Sequence, residues 1–138
     1  MKNDHLTQVC QGYQVELKYK SNKLSFYDLE RLDESQNHLF DVRLPSNFAR
    51  SQIFSFYPVM NESKTYMVLA LSYGRNLEHT WREEKFHGIL LIDIGKRKVL
   101  QNENTDPFKT IMFRSDDELL CQNRYGVFKI EIVKDRSG

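Results

Sequence analysis

The phrase Gly88-Ile-Leu-Leu-Ile-Asp-Ile94 returns 38 residues later as Gly126-Val-Phe-Lys-Ile-Glu-Ile132, with the glycine, two isoleucines and an acid in register. A self-similar unit of this length is one supersecondary element that cannot bury its apolar face alone, so copies must stack. The segments before each copy fall in the same order. Ile53 to Phe56 parallels Lys109 to Phe113, and Thr65 to Ser72 parallels Glu118 to Gln122. Strand-type alternation and β-branched or aromatic runs dominate these segments, which predicts an all-β chain of antiparallel meanders.

Further strands follow the same logic. Val15 to Tyr19 alternates, Ser21-Asn22 supplies a tight turn, and Leu24 to Leu29 returns as a hairpin arm. His38 to Leu44 is another strand, stopped by Pro45, and Pro58 is expected to end the strand from Ile53. Residues 65–72 are nearly all apolar, as a central strand buried on both faces would be. Gly95-Lys96 turns the chain, and Arg97 to Gln101 is expected to start the third unit. The reading is one domain over residues 1–138, with a partial meander at 14–44, a meander with an insertion at 52–95, and a meander at 97–133.

Ile111-Met-Phe113-Arg-Ser115-Asp-Asp-Glu-Leu119-Leu, followed by Gly126 and an alternating strand that closes on an acid, resembles a β-propeller blade repeat. The resemblance covers about two and a half blades over residues 14–133 and implies blade-like sheets. Closed propellers need four or more blades, and the Trp-Asp dipeptide of one large subfamily is absent. The expected architecture is therefore a partial, open propeller-like stack or a β-sandwich.

One segment breaks the rhythm. Residues 74–87 are polar and hold the only tryptophan, which predicts a short helix or long loop near 76–86, with Asn76 as N-cap. Arg75, Trp81 and Arg82 make it a candidate recognition element, because Trp and Arg are over-represented in binding hot spots. On a continuous helix His79, Glu83 and His87 would share one face, and two imidazoles with a carboxylate are legitimate zinc ligands. The bland reading is a solvated insertion, so no metal is assigned.

Other chemistry is sparse. His38 and Asp41 would lie on opposite faces of an alternating strand, no serine has a GxSxG context, and the six glycines are too dispersed to cradle phosphate. Cys10 and Cys121 form no CxxC pair, which fits reduced thiols, with Cys121 in the core. No cofactor is implied. The net charge of +1 gives no field for nucleic acid or an anionic membrane. No apolar run reaches membrane-spanning length, and Met1 to His5 carries no secretory features, so a cytoplasmic protein is expected.

Charge does cluster locally. Asp33 and Glu34 crowd the end of the first unit, and Asp116 and Asp117 occupy a turn of the third. Brought together, they would suit a basic protein partner. The expected function is a non-catalytic protein-binding module. Size, charge pattern and the absence of a catalytic motif are similar to those of bacterial immunity proteins, which implies an inhibitor that covers the active site of a basic toxin domain. The alternatives are an adaptor or subunit that pairs through a sheet edge, and a metal-dependent hydrolase or nuclease built on His79, Glu83 and His87.

Overall fold

A computed structural model describes residues 5–18, 20–31, 37–45, 52–76, 83–105 and 108–132. Alternation does produce strands throughout, and the described residues contain no helix. The first sheet is a meander of β1 (His5–Cys10), β2 (Tyr13–Lys18), β3 (Lys23–Asp28) and β4 (His38–Arg43). The second is β5 (Gln52–Met60), β6 (Tyr66–Asn76), β7 (Glu83–Asp93) and β8 (Lys98–Thr105). The third holds β9 (Phe108–Ser115), β10 (Glu118–Asn123) and β11 (Gly126–Glu131). Every pairing is antiparallel, and no sheet closes into a barrel.

The sheets stack face to face with the second in the middle. Met67, Leu69, Leu71, Leu90 and Ile92 project from one of its faces into a core shared with Val15, Leu17, Leu24, Phe26, Phe40 and Val42 of the first sheet. Phe26 and Phe40 stack there at 4.6 Å between ring centroids. Val68, Ile89 and Leu91 leave the opposite face and pack on Ile111, Leu119 and Cys121 of the third sheet. Met67, Val68 and Leu69 are consecutive and all fully buried, so β6 is the doubly covered strand its apolar run predicts. Each large apolar side chain so buried contributes on the order of 1.5–3 kcal/mol.

The repeat is visible in the backbone. One residue past the third strand of each sheet, an N–H donates to the carbonyl just before the second strand. These bonds are Leu29 N to Gly12 O at 2.8 Å, Ile94 N to Thr65 O at 3.0 Å, and Ile132 N to Asp117 O at 2.9 Å. Each donor follows an acid, namely Asp28, Asp93 or Glu131. The glycine-led phrase is thus the third strand of its unit, and in the second sheet it is not the last. A fourth strand follows it in two of the three sheets.

Several expectations are corrected. The first unit is complete, because β1 supplies the strand that a start at residue 14 omits. Residues 98–101 begin β8, which pairs with β7 and belongs to the second sheet, not the third. Pro58 does not end β5 but sits within it opposite Leu69. It is tolerated because β5 is an edge strand, where a missing N–H costs no ladder bond. The polar segment at 74–87 is mostly strand: β6 continues to Asn76 and β7 starts at Glu83, with Arg75 opposite Glu84. Asn76 is thus the last residue of β6, and residues 77–82, including His79, Trp81 and Arg82, where a helix or loop is expected, lie outside the described residues.

Candidate functional site

Three sheet ends meet at one pole of the stack, and a single buried asparagine ties two of them together. Asn61, in the β5–β6 turn, is fully buried. Its Nδ2 donates to Thr65 Oγ1 at 2.6 Å and to the Asp116 carbonyl at 3.1 Å. Its Oδ1 accepts from the N–H groups of Thr65 at 2.9 Å and Tyr66 at 3.1 Å. Two donors and two acceptor sites are all an amide has, so Asn61 is saturated. Asp116 Oδ1 also accepts from Ser63 N at 3.3 Å, which locks the β9–β10 turn of the third sheet to the second.

The first sheet joins through a charge. Lys64 Nζ lies 3.4 Å from Glu30 Oε1, and both groups are solvated, so the pair orients more than it stabilises. Glu30 lies over the β1–β2 turn, where Gly12 has φ +87° and a Cβ would come within 3.0 Å of Glu30 Oε1. At position 12 only glycine fits without strain. Around this braced junction Glu30, Glu62, Asp116 and Glu131 remain exposed. The basic run Lys96-Arg97-Lys98 is exposed at the β7–β8 turn of the same pole, where Ile94 N donates to Thr65 O at 3.0 Å and Asp93 Oδ1 accepts from Lys96 N at 2.9 Å.

Asp116 and Asp117 are at this pole, whereas Arg75 lies near the far end of β6. Ten residues of strand separate Arg75 from Thr65, about 33 Å. Asp33, Glu34, Trp81 and Arg82 lie outside the described residues. The metal alternative loses its geometric basis. Glu83 and His87 are on a strand and not a helix, so four residues put them about 13 Å apart along β7. Among the described residues no three His, Cys, Asp or Glu side chains gather closely enough to hold a metal ion.

A cluster that strict alternation hides lies on the outer face of the first sheet. His38 Nε2 is 2.8 Å from Asp41 Oδ1, and Ser25 Oγ donates to the same oxygen at 2.7 Å. The prediction of opposite faces fails because the β3–β4 ladder is irregular. Tyr27 pairs with His38 and Phe26 with Phe40, so Leu39 is the extra residue of a bulge. The same irregularity recurs in β7–β8, where Leu100 is skipped. Asp41 is held below the usual carboxylate range, first by the His38 hydrogen bond and then by that from Ser25. In nucleophilic catalysis the histidine must accept the serine proton. Here the carboxylate stands between them, so the trio caps the face.

The cysteines are free and sit on opposite sides of the second sheet, Cys10 against its first core and Cys121 within its second. Burial, helped by Glu103, pushes the Cys121 thiol up to about 11, which leaves it a poor nucleophile at neutral pH. A cleft of about 360 Å³ between Tyr57, Ala70 and Lys109 to Ile111 marks where the third sheet leaves the second partly uncovered. Protein-family models give no match to the chain, and a search of curated proteins finds no similar sequence.

Proposed function

We propose that this chain is a non-catalytic protein-binding module that presents the exposed carboxylates of this pole to a basic protein. The observation that carries the reading is the Asn61 junction. It fixes the turns of two sheets in one hydrogen-bonded arrangement, and the Lys64–Glu30 pair adds the third. A surface already ordered before contact avoids the entropic cost of ordering it on binding. Exposed carboxylates on such a frame give steering and specificity toward a basic partner. Inhibition of a basic toxin domain, by covering its active site, is the most concrete form of this role.

The repeated third-strand bond supports reading the three sheets as blade-type units that serve as a stiff support. The test uses the protein that co-purifies with the chain from its native cells. Glu62→Lys with Asp116→Lys is expected to raise the Kd for that partner at least about tenfold and to flatten its salt dependence. An unchanged Kd in the double variant would contradict the reading.

A further inference from the structure

The third sheet ends, among the described residues, on an edge strand. Among the described residues β11 is paired only with β10, and its other edge has no partner among them. Such an edge carries a row of unpaired N–H and C=O groups and templates the addition of another strand. Its side chains are unusually open: Val127 is 67% exposed and Phe128 36%, and Met112, on the same face as Val127, is 50% exposed.

The charges on β11 say which strand fits. Lys129 and Glu131 are two residues apart and share the outer face, with Ile130 between them on the inner face. Glu131 lies directly opposite Glu118 in the ladder, a like-charge pair that is unfavourable by itself. Lys129 is divided between these two carboxylates, at 3.8 Å and 3.9 Å, while Glu118 also has Arg114 at 3.2 Å. Glu131 is thus the under-compensated member.

We propose that β11 pairs antiparallel with β11 of a second copy about a two-fold axis at Ile130. Side chains of an antiparallel pair must share a face, so only every second register is open to this strand. Centring on Lys129 would oppose two lysines. Centring on Phe128 would set Lys129 against Val127 and leave Glu131 without a new cation. Centring on Ile130 places each Lys129 opposite Glu131 of the other copy, giving two new ion pairs. It also brings Phe128 opposite Ile132 of the other copy, which extends the second core across the axis. The result is a six-stranded sheet in an isologous dimer, the closed form expected of a self-complementary patch. This pairing does not depend on the function of the Asn61 pole.

The test is sedimentation of the intact chain and of charge variants from about 1 to 100 µM, bracketing the weak-to-moderate affinity a single edge gives. The wild type is expected to show a concentration-dependent dimer. Lys129→Glu and Glu131→Lys are each expected to weaken it at least about tenfold, because each sets like charges opposite one another. Mixing the two single variants should restore a dimer, as should the double variant carrying both changes. Far-ultraviolet circular dichroism confirms that each variant keeps its strands. A wild type that is monomeric throughout, or a dimer equally populated in both single variants, would overturn the pairing. So would single variants that stay monomeric when mixed.

Discussion

The first and third sheets pack on opposite faces of the same middle sheet, yet they finish differently. The first has four strands, and its outer face carries the Ser25, His38 and Asp41 network with Glu16 and Lys18 beside it. The third has three strands, and Met112, Leu120 and Val127 share its outer face, two of them well exposed. Polar groups that bond one another leave little for a partner to gain. Bare apolar atoms and an open edge leave much. The unit is repeated, so the contrast lies in how each copy is finished, and it is the reason the proposed pairing is placed at the third sheet.

The largest effect that could break this comparison is in the cores. Phe26→Ala removes a fully buried ring stacked on Phe40 and should cost about 3–5 kcal/mol, read by chemical denaturation. Leu119→Ala, also fully buried, should cost about 2–5 kcal/mol but expose chiefly the third sheet, because its cluster lies on the other side of β6 and β7. Strand-resolved hydrogen exchange separates the two outcomes. Equal loss of protection in all three sheets for Leu119→Ala would mean that the cores are not independent.

Next comes the junction. Asn61→Ala leaves the buried groups that it satisfied without partners and should cost on the order of 1–3 kcal/mol. Smaller still is the polar cap. The carboxyl pKa of Asp41 is depressed in the fold, so its contribution is present above the ordinary value near 3.8 and fades as pH falls through the lower folded value. Acid titration of stability should show this loss in the wild type, and Asp41→Asn should flatten it. Met112→Ser is expected to change stability by no more than about 0.5 kcal/mol, since the side chain is half exposed.

Much of this architecture is legible in the residues, because period-2 burial writes itself into β2 and β10, and continuous apolar runs mark β6 and the core half of β7 as doubly covered. What escaped has physical causes. His5 to Cys10 places Thr7, Gln8 and Val9 together, so its alternation is weak, and β1 is held by register to β2. The distal ends of β6 and β7 are mostly polar and do not alternate, and ladder continuity extends them to Asn76 and Glu83. A bulge costs one residue and reverses facing, so Leu39 concealed the His38–Asp41 contact. At the Asn61 pole, Asp116 and Asp117 were visible as charge. Asn61 was not, because a buried amide in a turn reads in sequence as an ordinary turn residue.

Hydrogen exchange of β11 amides against those of β2 and β3, followed across protein concentration, tests the contrast most directly. Protection of β2 and β3 should be high and independent of concentration. Every second amide of β11 should exchange freely in dilute solution and slow as concentration rises. A β11 strand protected as strongly as β3 at the lowest concentration would contradict the account.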